Sequence, residues 1–510
     1  MPDLRQPAGR QQVTQSLLDV LWAVAMLSLP FTSFPLLVNL TGAIVAPLAA
    51  IPIFLLVLFW LIPYLLRRRA LPGETIPLVI FALVVLLACS LAFFYDIPGY
   101  KGRTIFGQEL RALVTLVIGM AFLLTTASWP QTDTRLRRTL LWINIGGILA
   151  IFWTSLQAYF FFADVGQFPA WYEHIMEWFV VRSASFNAPN PRVTGLTYEP
   201  SWFAHQMVML YIPLWIAASY YRTSAFRKRF FGISAENVLL VLGVGLFFLT
   251  SPRIGLISFF LIGVFLFVKL NLAILRRLVN FITSRPRFQG NRKHVALRIL
   301  VTGITTLVLV TVYSAALAAS IYFISQRDWR FALLVTEPPS WQEILAILSL
   351  DEAALLSLAH RLAFMERVVY WFTGWHVFND YPLLGVGLGN TGFFTLEKAP
   401  AIGWASYEIR ALFFRLPQLP NIKSFWVRLL AETGLVGFSV FISWLVLLFR
   451  SARLTLRSQQ PLLQTLALTG QLSLVAFIGE GFSIDSFAMP YLWVTLGLII
   501  AASWYYRQHS

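Results

Sequence analysis

About twelve stretches of this sequence stay apolar for close to the roughly 20 residues that a helix needs to cross the hydrocarbon core of a bilayer. Their approximate spans are 16–37, 42–66, 75–96, 108–128, 139–162, 200–221, 237–250, 254–275, 299–325, 424–449, 462–482 and 488–506. With 58% hydrophobic and only 12% charged residues, the chain falls well short of the charge of a soluble domain. The expectation is an all-α polytopic membrane protein.

The formal charge of +16 would point to nucleic acid in a soluble chain. Here the cations fall mainly between apolar runs. Counting from an N-terminus inside, alternate loops carry Arg67-Arg68-Arg69, Arg135/Arg137/Arg138, Arg222 with Arg227-Lys228-Arg229, the Arg276 to Arg298 stretch and Arg450/Arg453/Arg457. All fall on one side, as the excess of Lys and Arg in cytoplasmic loops requires. No nucleic-acid partner is expected, and both termini are placed in the cytoplasm. Arg5 and Arg10 precede an apolar run from about Leu17 with no small-residue cleavage site, which reads as a retained first helix. The single cysteine, Cys89, lies in an apolar run and offers neither a disulfide nor a thiolate metal site.

This topology divides the chain into residues 1–325, nine helices with an outer loop at 163–199; an outer segment at 326–420; and three further helices at 421–510. Loops longer than about 12–15 residues are uncommon unless functional, so the chemistry is expected at 326–420. There Leu355, Leu358, Leu362, Met365, Val369 and Phe372 recur at alternating three and four positions, the stripe of one amphipathic helix. Its other face would carry His360, Phe364, Arg367 and Trp371.

Several outer charges invite two readings. Glu199, before Pro200, suits a helix N-terminus, a preference worth about 0.3–1 kcal/mol; with Arg192 it could instead face a cleft. Arg253 opens a membrane helix, where an interfacial anchor competes with a binding role. Arg367 is either a solvated face or a ligand. Lys423 enters the tenth helix, and Glu432 lies about 13 Å deeper at a 1.5 Å rise per residue, so its expected partner is Arg428, four positions away. Arg192, Arg253, Arg367 and Lys423 come from four segments and could converge on a polyanion; a cation 4 Å from a phosphate gains about 4 kcal/mol at an effective dielectric of 20 but about 1 in water. Gly385-Val386-Gly387-Leu388-Gly389 lacks the spacing and the preceding strand of a dinucleotide fingerprint and reads as a close turn. The six histidines show no metal spacing, and neither metal nor cofactor is expected. Trp171, Trp178, Trp371, Trp375 and Trp404 fit membrane-interface aromatics better than sugar platforms.

Arg192-x-x-Gly195 with Glu199-Pro200-Ser201, then Ser251 to Gly255, Arg367-x-x-x-Trp371, Asp380-Tyr381-Pro382-Leu383-Leu384-Gly385-Val386-Gly387, and Lys423 with Glu432-Thr433-Gly434-Leu435-Val436-Gly437, together resemble the Wzy-type O-antigen polymerases and WaaL-type O-antigen ligases. The resemblance runs over about Phe186 to Phe441. It implies a GT-C-type fold in the bacterial inner membrane and glycosyl transfer on its outer face from undecaprenyl pyrophosphate, with a chain-length regulator as a possible partner. Many members carry His-Asn where this chain has Lys423-Ser424, and Pro252 separates Ser251 from Arg253. Lys423 and the Glu-Pro-Ser-Trp motif resemble exopolysaccharide polymerases more than ligases. The expected mechanism is metal-independent and inverting. Arg192, Arg253, Arg367 and Lys423 would bind pyrophosphate, and Glu199 or His360 would position or deprotonate the acceptor hydroxyl. The alternatives are an O-antigen ligase and a flippase for lipid-linked sugars; the few ionisable residues expected inside the spans count against the flippase. A structural scaffold would leave the outer cations without a reason.

Overall fold

The computed structural model describes residues 8–67, 70–163, 165–181, 192–226, 229–250, 252–283, scattered positions of 299–335, and 336–509 except 350 and 363. Among these, secondary structure is helical, with isolated bridges in place of strands. The basic stretch around 284–298 and Ser251 lie outside the described residues.

Six helices among the described residues are long and apolar enough to cross a membrane: Gly73–Ala92, Ile105–Ser128, Asp133–Phe162, Arg253–Leu272, Phe425–Thr455 and Pro461–Glu480. Shorter apolar helices cover Gln15–Leu27, Ala50–Leu66 and Ala235–Leu249. The chain is a helical membrane protein. The labelled elements are α1 Ala8–Leu27, α2 Ala50–Leu66, α3 Ile76–Ala92, α4 Ile105–Ser128, α5 Asp133–Phe162, α6 Ala170–Phe179, α7 Pro200–Gln206, α8 Ile212–Tyr220, α9 Ala235–Leu249, α10 Arg253–Thr283, α11 Trp341–Leu348, α12 Glu352–Arg361, α13 Met365–Asp380, α14 Phe425–Thr455, α15 Pro461–Glu480 and α16 Pro490–His509.

Local sequence sets many of the boundaries. Thr104 caps α4 by accepting from the Gly107 amide at 3.1 Å, and Thr132 caps α5 through Arg135 at 3.3 Å. Ser340 and Glu343 form a capping box on α11. Prolines open α7, α15 and α16, where a missing amide hydrogen costs nothing. The first expected span, 16–37, is shorter than its apolar run: α1 ends at Leu27 and a separate helix begins at Pro35.

α15 is the hub, buried along nearly its whole length. It packs on α8, α10, α14 and α16, while α4 lies against α16 and α3 against α14. Close approach relies on small residues: a Cβ on Gly470 would sit 2.1 Å from Ile499, and one on Gly119 2.4 Å from the Trp493 ring. At one end of the bundle, Glu74 accepts from Arg507 Nη2 at 2.8 Å and from Ser451 at 3.2 Å, tying α16 and α14 to the start of α3. At the opposite end the loop before α4 meets the outer segment. There Lys101 Nζ donates to the Leu416 carbonyl at 2.7 Å and Arg103 to that of Pro417 at 2.9 Å.

The single amphipathic helix expected across 355–372 is two. α12 ends at Arg361 and α13 begins at Met365, with the Phe364 amide bonded back to the Ala359 carbonyl at 2.7 Å. Of the expected stripe, Met365 and Val369 are buried and Leu355 and Phe372 pack partly against them, while on α12 the buried positions are Leu356 and Ala359, which lie outside the stripe.

The most constrained junction joins the turn after α13 to α14. Helix α14 is interrupted at Gly434, with φ +62° and ψ −169°. Into the break the Leu435 and Val436 amides donate to the carbonyls of Pro382 and Leu383 at 2.8 and 3.1 Å. In the other direction, the Val386 and Gly387 amides donate to Ala431 and Glu432 at 3.0 and 3.1 Å. Gly385, Gly387 and Gly389 all have positive φ. A Cβ on Gly385 would lie 2.5 Å from the Glu432 backbone, and one on Gly434 2.2 Å from the Leu383 carbonyl oxygen. The glycine turn and the Glu-Thr-Gly-Leu-Val-Gly motif are thus two halves of one backbone joint.

Gly434→Ala should therefore lower the thermal midpoint of the purified protein by the equivalent of at least about 2 kcal/mol, from overpacking and left-handed strain together. Gly245→Ala, where an added Cβ meets nothing within 4 Å, should leave it unchanged or raise it. Equal midpoints in a thermal melt of the two variants would disprove the joint.

Candidate functional site

Just before α14, Ser424 accepts from the Val427 amide at 3.4 Å and donates to the Gly481 carbonyl at 3.3 Å, while the Phe425 amide donates to that carbonyl at 2.7 Å. This clamp to the end of α15 holds Lys423 at φ +52°. For a non-glycine residue such a conformation costs roughly 1–3 kcal/mol and is typical of functional sites. The Lys423 ammonium pairs with Glu408 and lies 4.9 Å from the Tyr370 ring centroid. Tyr370 donates its hydroxyl to Glu408 Oε1 at 3.3 Å. Burial first, then the Glu408 charge, push the Tyr370 phenol upward, so it stays a donor. Arg367, one turn earlier on α13, donates from Nη1 to the Lys423 carbonyl at 3.3 Å. Two of the four expected residues are therefore in contact, the Arg367 guanidinium with the Lys423 backbone, at a half-open mouth beside a Lys423 side chain that is 29% exposed and paired with Glu408.

Below this mouth the polar groups are buried. Arg428 Nε donates to Glu432 Oε2 at 2.8 Å, and its Nη1 donates to the Asp485 carbonyl. The Asp485 carboxylate accepts from Asn421 at 3.1 Å. Thr391 donates to the other Glu432 oxygen at 3.3 Å, and the neighbouring Asn390 donates to Glu109 at 2.8 Å. Arg428 and Glu432 make the pair that their spacing implies.

A second polar group lies at the start of α7. Glu199 occupies the N-cap position and accepts from the Ser201 hydroxyl rather than from the helix backbone. Deeper on α7, His205 Nδ1 pairs with Glu480 at the end of α15, both buried. The Gln206 amide, the Tyr211 hydroxyl and Glu480 Oε1 have no hydrogen-bond partner among the described residues. Tyr211 closes a π-helical turn, Met207–Tyr211, a distortion often found at functional sites.

Of the remaining expected residues, Arg192 is exposed on the approach to α7, where Gln157 accepts from the Thr194 and Gly195 amides at 2.7 and 3.0 Å. Gly195 in that motif has φ +57°, and its Cβ would meet Thr154 at 2.3 Å. Arg253 is half-buried at the start of α10. His360 is exposed near the end of α12, on a different helix from Arg367, which lies on α13. Sequence reasoning missed Glu408, Tyr370, His205, Glu480 and Asp485. His205 and Glu480 did carry a signal, an ionisable group inside each of two apolar runs.

Residues 238–442 match the Wzy_C family model, described as O-antigen ligase. This stretch is a Wzy_C domain. The match supports the O-antigen ligase/polymerase resemblance that the motifs carry, and with it a ligase- or polymerase-type role. The Wzy_C match takes in Arg253, the outer segment, Lys423 and the joint at Gly434; Arg192, Glu199, His205 and Glu480 lie outside it. No curated protein matches the chain.

Removing one partner of a buried ion pair strands the other charge, at a cost of about 3–5 kcal/mol. Arg428→Met should lower the thermal midpoint accordingly, and Arg428→Met with Glu432→Leu should recover most of the loss. A single variant as stable as the parent would show that the pair contributes nothing.

Proposed function

We propose that this protein polymerises oligosaccharide repeat units carried on undecaprenyl pyrophosphate, on the outer face of the bacterial inner membrane, with twelve spans in a GT-C-like arrangement and both termini cytoplasmic. The observation that carries this reading is the contact of the Arg367 guanidinium with the backbone of Lys423, which sets both cationic residues on one half-open mouth above the buried Arg428–Glu432 pair. A lipid pyrophosphate needs cations where its charge develops and a half-dry setting in which they act strongly.

In the proposed reaction an acceptor hydroxyl oxygen attacks the anomeric carbon of the donor glycan. The bond from that carbon to the pyrophosphate oxygen breaks, and the lipid pyrophosphate leaves with the electron pair. The hydroxyl proton passes to a carboxylate. Arg367 and Lys423, joined by Arg192 and Arg253 in the loaded enzyme, hold the leaving group and neutralise its charge, while the site orients the acceptor. Glu199 fits the proton-accepting role better than His360, because its half-buried carboxylate stands at the start of α7 beside the Ser201 hydroxyl whereas His360 is exposed on a separate helix. General-base assistance contributes typically about 10²–10⁴-fold. A ligase shares every one of these steps and differs in its acceptor.

The flippase alternative gains something from the structure. Sequence reasoning counted few buried ionisable groups in the spans, yet Glu74, Glu109, Glu432, Glu480 and His205 are all buried. Each has a hydrogen-bonding partner in Arg507, Asn390, Arg428 or the His205–Glu480 pair itself, which accounts for them as packing.

Purified protein incubated with a lipid-pyrophosphate-linked oligosaccharide from its host should give a ladder of products on a gel. Arg367→Ala should abolish the ladder while leaving the thermal midpoint within about 1 kcal/mol of the parent, as for a half-exposed arginine. A full ladder from Arg367→Ala would remove that residue from the site. Transfer of one glycan to a different acceptor would make the protein a ligase, and movement of the lipid across vesicles without product would make it a flippase.

A further inference from the structure

Immediately beside Glu408 the outer segment forms an open cavity. Tyr407–Arg410 make one helical turn that widens into a π-helical turn over Ala411–Arg415. Tyr407, Arg410, Ala411, Phe414 and Arg415 line a space of about 270 Å³, at the small end of ligand pockets and suited to a single sugar residue. Tyr407 and Phe414 are 66% and 67% exposed, which leaves ring surface of both open to a ligand. Arg415 Nη1 donates to the Tyr407 hydroxyl at 3.1 Å, and its guanidinium lies 5.5 Å from the Tyr407 ring centroid. That contact fixes the guanidinium and leaves its other N–H groups free to donate.

The charge around the pocket is unbalanced. Three nearby cations face carboxylates, Arg361 with Glu343 at 3.5 Å, Lys398 with Asp380 at 2.5 Å and Lys423 with Glu408, while Arg367 donates to a backbone carbonyl. Among the described residues, neither Arg410 nor Arg415 forms an ion pair with a carboxylate. Two guanidiniums without counter-charges in one open pocket attract an anion, and the planar fork of arginine matches a carboxylate by two parallel hydrogen bonds. The aromatic faces add a surface on which a sugar ring can lie.

The wall behind the pocket is preformed. Tyr100 directs its hydroxyl at the carbonyls of Leu412, Phe413 and Gln418, at 3.4, 3.4 and 3.3 Å, and Lys101 and Arg103 hold Leu416 and Pro417. Trp404 packs edge-on against Phe413 at 5.3 Å. A ligand therefore meets a set geometry, which lowers the ordering cost of binding. Tyr407 and Glu408 are adjacent in sequence, and Glu408 pairs with Lys423, so a sugar held in the pocket abuts the transfer mouth.

We propose that this pocket is a glycan subsite that selects a sugar bearing a carboxylate, of the uronic-acid type. The assignment deepens the proposed function by naming the class of repeat unit, and it rests on that reading only in taking a glycan to be the substrate. Sugar carboxylate and carrier pyrophosphate share the same anionic-oxygen chemistry, so the test uses both.

Full-length protein in detergent is titrated calorimetrically with three probes: a free oligosaccharide containing glucuronic acid, its glucose counterpart, and a short prenyl pyrophosphate without sugar. The acidic oligosaccharide should bind about tenfold more tightly than the neutral one, the size expected of two partly exposed charge pairs. Arg410→Gln with Arg415→Gln, both at exposed positions, should erase that preference, so that the two sugars bind alike, and Tyr407→Ala should weaken both sugars. Equal binding of the two sugars, no sugar binding, or a preference that survives the double substitution would overturn the proposal. So would binding of the sugar-free pyrophosphate that depends on Arg410 and Arg415, which would assign the pocket to the carrier. Free sugars need no turnover, so a protein that prefers the acidic oligosaccharide but makes no ladder would sink the polymerase reading and leave the subsite standing.

Discussion

Helix α14 is broken at Gly434, and the backbone of the turn 382–387 fills the gap. Four amide-to-carbonyl bonds cross that joint, two in each direction. They satisfy polar backbone groups that an apolar surrounding would otherwise leave exposed at high cost. Because α13 leads into the turn and Lys423 stands at the head of α14, the joint fixes α13 against α14. That register brings Arg367 to the Lys423 carbonyl and Tyr370 to Glu408. The outer segment is therefore anchored at depth, where a tether at the surface would leave the mouth free to drift.

Below the mouth, buried charge is matched group by group. Arg428 is shared between the Glu432 carboxylate and the Asp485 carbonyl, and His205 takes Glu480. Removing such charges from water is costly, and paired geometry with further hydrogen bonds offsets the cost. The same poorly solvated surroundings strengthen any electrostatic contact made at the rim, which is what a site handling a lipid-linked anion requires. The unpartnered polar atoms of Gln206, Tyr211 and Glu480 mark where the matching is incomplete, next to a π-helical turn.

Much of the fold was legible because apolar runs and caps are local signals. The spans at 108–128 and 139–162 fall within α4 and α5, and the Arg428–Glu432 pair follows from helical spacing alone. The turn at Gly385 to Gly389 was also readable, since glycine is the residue that left-handed backbone favours. Its docking into Gly434 was not, because nothing in either stretch encodes its partner. The break between α12 and α13 escaped for a related reason: apolar spacing carried across 355–372 does not mark where one helix ends, and the positions buried on α12, Leu356 and Ala359, lie outside that stripe. Of the site, Arg367 and Lys423 were found as outer cations, while Glu408 and Tyr370 matter only through contacts made in three dimensions.

The central claim is that the pyrophosphate headgroup sits at the mouth between α13 and α14. A prenyl pyrophosphate carrying a photoreactive group close to its phosphates, cross-linked to the protein and mapped by mass spectrometry, tests it most directly. The account predicts adducts in peptides spanning 364–378 and 420–432, suppressed by excess unlabelled lipid pyrophosphate. Adducts confined to the opposite end of the bundle, around Glu74, Ser451 and Arg507, would contradict it.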